Sequence, residues 1–297
     1  MSSERAHVTN YLLDHAWAGE RERLDGLGVV FDPGTIGHLE HIGVGPGWRC
    51  LEVGGGSGTV ARWLCEQAGP TGRVVATDLD TGILTSLGIP GLEVRQHDIV
   101  QDDLEEGAFD LVHSRLVLEH LPERDVALAR MARALAPGGW LLVESFQLTP
   151  MTVASAGPAA RLRWASVALP ALFRAVLLAM RPAGLDGRLG HRLPAELARL
   201  GLVDVGAEGR AVFVQGGSPA ASVATLSLTR FADLLTNPPA ALTAPGPLTP
   251  SGLFQRVPPL RRFLARQLDG LCSLFDDPEI WAMGPVLVAA RGRRPAG

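Results

Sequence analysis

Between Gly47 and Gln147, short β-branched or apolar runs alternate with helical patterns, and this alternation leaves the chain few ways to fold. Each run is too short for a stable helix. Each is followed by enough chain to cross back and lie parallel to its predecessor, which is how βαβ units build a parallel sheet. The runs are Trp48–Val53, Arg73–Asp78, Leu92–His97, Phe109–His113 and Trp140–Ser145. Helical patterns fall near Thr59–Gln67, Gly82–Leu87 and Glu123–Leu135, the last expected to stop at Pro137-Gly138-Gly139. Five strands with right-handed crossovers make a doubly wound half-sheet, and such sheets bind ligands beyond the carboxyl ends of their strands.

After Pro150 the composition shifts to Ala, Leu, Arg and Pro. The spacing predicts a helix over Pro194–Leu200, a sixth strand over Leu202–Gln215 broken at Gly206 and Gly209, and a last strand over Pro285–Ala290. Helical patterns recur at Ser222–Leu235 and Arg261–Phe275, with a Pro-rich irregular stretch, Asn237 to Pro259, between them. Ahead of the sheet, Ala6 to Gly26 reads as a helix able to fold over its carboxyl edge. The longest apolar stretch, Trp164 to Met180, is interrupted by Pro170 and Arg174 and falls short of a membrane span, so it reads as a cap helix.

Composition excludes other classes. With 46% hydrophobic and 20% charged residues in 297, the chain suits a soluble globular protein. A net charge of -4 argues against a nucleic-acid surface; the clusters Arg261, Arg262, Arg266 and Arg291, Arg293, Arg294 read as solvated faces. Three cysteines, Cys50, Cys65 and Cys272, with no CxxC pair, speak against a disulfide framework or a zinc site. The first seventeen residues hold no apolar signal core, so a cytoplasmic protein with no membrane partner is expected.

The chemistry concentrates at Leu51-Glu52-Val53-Gly54-Gly55-Gly56-Ser57-Gly58-Thr59. Glycines permit positive φ in a tight turn and let a ligand approach the backbone, while the following helix offers unpaired N–H groups. A dinucleotide fingerprint requires G-x-G-x-x-G, and from Gly54 its last position falls on Thr59. The remaining pattern, E-x-G-x-G-x-G, resembles the first motif of class I S-adenosylmethionine-dependent methyltransferases. Three more segments follow in order: Asp78-Leu79 closing the second strand, Gln96-His97-Asp98-Ile99 closing the third, and Phe109 to Pro122 with Arg133 to Leu142 around the fourth and fifth.

The resemblance implies an α/β fold: a Rossmann-like, mostly parallel seven-stranded sheet with helices on both faces and a helical cap. The expected units are an N-terminal helical segment over the site (1–46), a cofactor-binding core (47–150), a cap insertion (151–191) and the rest of the sheet (192–297) with a helical insertion at about 216–283. It also implies a cofactor, S-adenosyl-L-methionine. Glu52, Gly54, Gly56 and Gly58 would form its turn, Asp78 would take the ribose hydroxyls and Leu79 an adenine face. Asp98 would accept from the adenine amino group, Ile99 would pack on the ring, and Ser114 would line the methionine moiety.

Methyl transfer is an in-line displacement whose main demand is alignment. If the nucleophile is a hydroxyl, a histidine base helps. His120, just past the fourth strand, is the first candidate and His113 the second. Tyr11, His15, His191 and Glu144 also fall where they could reach an acceptor. Glu119 and Glu144 alone do not make an acidic metal cluster, so no metal is expected. The apolar stretch Met151 to Met180, with Trp164 and Phe173, predicts a largely hydrophobic acceptor, aromatic or polycyclic, of the sort found in natural-product biosynthesis. The same scaffold could instead support a non-methylating reaction such as cyclisation or isomerisation. The oligomeric state is open, a homodimer being one option.

Overall fold

The structure is a computed structural model that describes residues 19–148, 152–155, 166–167, 169–171, 173–174, 177, 180–181, 184–237, 266–267 and 270–297. Its elements, in chain order, are α1 (Glu20–Ile42), β1 (Arg49–Val53), α2 (Thr59–Ala68), β2 (Arg73–Asp78), α3 (Gly82–Ser86), β3 (Leu92–Gln96), β4 (Phe109–Arg115), α4 (Arg124–Ala134), β5 (Leu135–Gln147), β6 (Thr152–Ser155), α5 (Leu189–Arg199), β7 (Val203–Gln215), α6 (Pro219–Thr236) and β8 (Ile280–Arg293).

The strands form one sheet in the order β3-β2-β1-β4-β5-β8-β6, with β7 on the other side of β8. Strands β1 to β5 pair in parallel, and β8 runs antiparallel to β5, β6 and β7. The reversal at β1/β4 is the point where such sheets open a crevice above their carboxyl ends.

Burial explains why these residues choose these elements. The central strands are covered on both faces and read as near-continuous apolar runs. One face packs Leu51, Val53, Val112, Leu141 and Val143 against Leu128 and Met131 of α4 and Leu193 and Leu197 of α5. The other packs Cys50, Leu111 and Leu142 against Leu39 of α1 and Val60 and Leu64 of α2. Each such side chain, fully buried, contributes roughly 1.5–3 kcal/mol. A third cluster joins Leu228 and Leu234 of α6 to Leu169, Phe173, Met180, Leu271 and Phe275 and to Val214 of β7 and Ile280 and Ala282 of β8, so the described part of the expected cap packs on α6 and on this end of the sheet.

Several expected boundaries move. Helix α1 runs from Glu20 to Ile42 rather than ending at Gly26; residues 6–18 of the expected helix lie outside the described set. Gly26, Gly28, Pro33 and Gly34 look like breakers, but Leu39 and Thr35 are fully buried and packing holds the helix through them. β5 begins at Leu135, because Pro137-Gly138-Gly139 forms a bulge against β4 instead of a loop. β8 begins at Ile280, five residues before Pro285, which falls at a register shift where the missing N–H is tolerated. Helix α5 starts at Leu189, ahead of Pro194. An eighth strand, β6, was not expected. Residues 238–259 of the Pro-rich stretch, and Trp164 with much of the expected cap helix, lie outside the described set. Among the described residues no helix is long and apolar enough to cross a membrane, and none of the three cysteines is in a disulfide.

Candidate functional site

The glycine turn is built by main-chain geometry. After β1, the N–H groups of Gly54 and Gly55 both donate to the Thr77 carbonyl of β2, at 2.8 and 3.0 Å. Gly54 has φ +74°, and a Cβ there would lie 2.2 Å from Val117 Cγ2. Gly56 has φ +51°, and its N–H donates to Asp78 Oδ2 at 3.1 Å. Gly58 serves a different purpose: it caps α2 at φ +75°, and its Cβ position faces Leu87 of the α3 packing layer.

Above this turn lies an elongated cavity of about 300 Å³. At one end it is bordered by Glu52, Gly54, Gly56, Asp78 and Leu79, then by His97, Asp98 and Ile99 from the end of β3. Asp98 already caps its own turn, accepting from the Val100 N–H at 2.8 Å and from Gln101 Nε2 at 3.0 Å. His97 brings a buried Nδ1 with no hydrogen-bond partner among the described residues. Helix α1 roofs the cavity with Arg23, Leu24, Leu27 and Phe31. Arg23 is held in place by a double hydrogen bond to the buried Glu20, at 2.9 and 2.6 Å.

At the other end the wall turns apolar. Phe173, Leu177 and Met180 face Val223, Leu228 and Phe231 of α6. Between the two ends, Phe31 meets Phe146 edge to face, centroids 5.6 Å apart. Two further polar side chains enter the wall from the segment after β4. Leaving β4, Leu116 adopts φ +58°, a conformation that costs a residue with a side chain about 1–2 kcal/mol. A single 3₁₀ turn, Leu118–His120, then delivers Glu119 and His120 to the cavity wall. Burial, reinforced by the nearby Arg23 charge, lowers the His120 pKa to about 4, so its ring is neutral at ordinary pH. Burial raises the Glu119 carboxyl to about 7. Its Oε2 has no partner among the described residues, and its Oε1 accepts a long bond, 3.5 Å, from the Phe146 N–H.

Beneath the roof lies a second polar layer, which meets the large cavity at Glu52 and Arg115. His113, opposite Glu52 in the β1/β4 register, is fully buried. Its Nδ1 lies 2.5 Å from Glu52 Oε2 and its Nε2 3.2 Å from Glu144 Oε2. Burial alone would lower its pKa; Glu52 and Glu144 outweigh that and raise it to about 9. Burial pushes the Glu144 carboxyl up, but His113, Arg115 and Thr35 together hold it below its ordinary value.

Seven of the nine residues expected to hold a cofactor border the cavity: Glu52, Gly54, Gly56, Asp78, Leu79, Asp98 and Ile99. Gly58 and Ser114 do not; Ser114 is buried and donates to the Val53 carbonyl at 2.9 Å. Of the candidate bases, His120 borders the cavity and His113 does not, both its ring nitrogens being committed to carboxylates. Glu144 faces His113 and Thr35, and His191 pairs with Gln147 on the surface of α5. Tyr11 and His15 lie outside the described residues. Arg23, Phe31, His97 and Glu119 were not among the expected site residues. His97 and Glu119 adjoin residues that were, and the strand-end rule could have found them. Arg23 lies within Ala6–Gly26, the helix expected over the carboxyl edge, though it was not singled out there; Phe31 falls past that helix's expected end.

Known proteins agree with this geometry. A family described as a methyltransferase domain matches residues 51–143. The ubiquinone/menaquinone biosynthesis C-methyltransferase of Cupriavidus necator is 35% identical over 115 residues, covering 36% of this chain and 47% of that protein. The chain thus spans about half the length of the curated relatives it matches. Among solved structures, the YcgJ protein of Bacillus subtilis superposes with a TM-score of 0.51 at 14% identity, covering 92% of this chain and 99% of that one. A phosphoethanolamine N-methyltransferase of Haemonchus contortus, in complex with S-adenosylhomocysteine, superposes with a TM-score of 0.52 at 18% identity, covering 97% and 61%. These structural likenesses establish the shared fold. Residues 51–143, which hold the glycine turn, β2, β3 and β4, thus resemble a methyltransferase domain.

Proposed function

We propose that this protein transfers a methyl group from S-adenosylmethionine to a small, largely hydrophobic acceptor, in the biosynthesis of a secondary metabolite. One observation carries the reading: the glycine turn and the strand-end carboxylates share a single cavity with many apolar side chains, and Glu119 and His120 line that same cavity.

The residues present fit the cofactor. Gly54 and Gly56 offer a backbone cradle at positive φ. Asp78 would take the ribose hydroxyls by exchanging its bond to the Gly56 N–H for them. Ile99 and Leu79 would hold the adenine between apolar faces, and Asp98 and the unpaired His97 Nδ1 stand at its polar edge. Bound there, S-adenosylmethionine supplies a methyl group activated by a positively charged sulfur.

The chain's own contribution is alignment and exclusion of water. Phe31 and Phe146 pack edge to face in the cavity wall, and α1 covers the cavity with Arg23, Leu24, Leu27 and Phe31. His120, kept neutral by burial, can accept a proton from an acceptor hydroxyl or amine at its ring nitrogen. The apolar wall of Phe173, Met180, Leu228 and Phe231 favours an aromatic or polycyclic body for the acceptor.

The test is incubation with methyl-labelled S-adenosylmethionine and a panel of hydrophobic phenols, hydroxylated polycyclic compounds and quinols. Label in an organic-extractable product supports the reading. Turnover of such compounds without label transfer would replace methyl transfer with another reaction on the same scaffold.

A further inference from the structure

The buried layer under α1 forms one continuous chain. It starts in the cavity wall at Glu52 and passes through His113 to Glu144. Glu144 Oε2 accepts from Thr35 Oγ1 of α1 at 2.6 Å, and Thr35 Oγ1 accepts from Arg115 at 2.7 Å. Arg115 closes the chain on Asp32 of α1 at 2.7 Å. Glu52, Thr35, His113 and Glu144 are all buried, and the Arg115–Asp32 pair is largely so. His38 of α1 and Arg210 of β7 border a small cavity on the other side of Glu144.

Two features make this more than a structural ion cluster. First, the charges alternate. Glu52, Glu144 and Asp32 are negative, and His113 and Arg115 are positive, so three anions against two cations leave one negative charge, and the chain's end at Glu52 opens on the cavity. Taking several charges out of water is costly, and a cation seated at that end would complete the alternation. Second, the far end grips α1 at its weakest point. Pro33 removes the helix bond to the Val29 carbonyl, and Asp32 and Thr35 flank it. The half of α1 before Pro33 carries the roof residues Arg23, Leu24, Leu27 and Phe31, while the half after it is fixed to the sheet by the fully buried Leu39.

We propose that His113 is a positioning residue: clamped between Glu52 and Glu144, it couples the seating of a positively charged ligand at Glu52 to the closing of α1 over the cavity. The proposal rests on the reading that the ligand is S-adenosylmethionine, whose amino group and sulfonium are the cations available. Coupling of this kind is reciprocal, so whatever loosens α1 must weaken the ligand.

The experiment uses the full chain, with S-adenosylhomocysteine as the non-reacting probe; it retains the amino group. Calorimetry gives its Kd from pH 7 to 10, and amide exchange gives the protection of residues 20–34 with and without it. In the wild type, binding is expected to slow exchange across the α1 roof and to weaken as pH rises through about 9, where His113 loses its proton. Asp32→Asn and Thr35→Val break the far end at two residues that do not line the cavity, although their partner Arg115 does, and neither empties the core. Each should raise Kd about fivefold or more and abolish the added protection. His113→Gln should show the same weakening already at pH 7 and lose above it only what the probe's own amino group loses on deprotonation, so that its Kd and the wild type's converge by pH 10. Unchanged Kd and protection in Asp32→Asn and Thr35→Val, with binding intact in the wild type, would overturn the coupling alone. No binding by the wild type would overturn both the coupling and the functional reading beneath it.

Discussion

Replacing Glu119 with Gln gives a prediction whose size follows from the structure. Burial raises this carboxyl from 4.5 to about 7, so the folded protein holds its proton more tightly than the unfolded chain does. A group with a raised folded pKa contributes stability that is full below its unfolded value and is lost as pH climbs through its folded value. At about 1.4 kcal/mol per unit, a shift of this size is worth roughly 3 kcal/mol, lost between about pH 4.5 and 8. Glutamine keeps the shape and cannot ionise. The stability difference between Glu119→Gln and wild type should therefore swing by roughly 3 kcal/mol in the variant's favour over that range. Urea unfolding followed by tryptophan fluorescence, run on both proteins at half-unit pH steps, reads the difference directly. The other titrating groups largely cancel in it. A difference that stays flat within about 1 kcal/mol would show that Glu119 is solvated or paired, and would remove it from the cavity wall.

Other substitutions probe the remaining parts of the site. Asp78→Asn should weaken S-adenosylhomocysteine binding about tenfold or more, the size of a lost charged hydrogen bond, measured by calorimetry. Affinity within twofold of wild type would take Asp78 out of the ribose site. Gly54→Ala places a methyl group 2.2 Å from Val117 Cγ2 at φ +74° and should cost about 2–5 kcal/mol in chemical denaturation, combining backbone strain with overpacking. A loss below about 1 kcal/mol would mean the turn relaxes freely. His120→Ala should lower label transfer to a responsive acceptor about 100-fold while leaving cofactor Kd within twofold. Undiminished transfer would exclude His120 as the base.

The sheet was legible because burial on both faces writes strands such as Arg73–Asp78 around an apolar centre, Val74-Val75-Ala76, and no helical period fits it. The cofactor end was legible for a related reason. Its residues sit at strand ends, where position along the chain fixes position in space, as for Asp78, Asp98 and His120. What stayed hidden depends on contacts distant in sequence. Helix α1 carries four glycines and a proline, and only the packing of Thr35 and Leu39 on the sheet keeps it helical to Ile42. The bulges at Pro137-Gly138-Gly139 and Pro285 read as chain breaks because a lone strand cannot hold them, whereas paired neighbours can. His113 is the instructive residue. A histidine at the end of β4 looks like a base, and the cross-strand positions of Glu52 and Glu144 turn it into a buried link between the cavity wall and α1.

The most direct measurement is a crystal structure of the full chain grown with S-adenosylhomocysteine. The ligand should lie across Gly54 and Gly56, its ribose on Asp78 and its adenine beside Ile99 and Asp98, with its sulfur pointing toward His120 and the apolar wall. Density for the ligand elsewhere on the protein, or a cavity that excludes it while accepting a pyrophosphate-bearing nucleotide, would contradict the account.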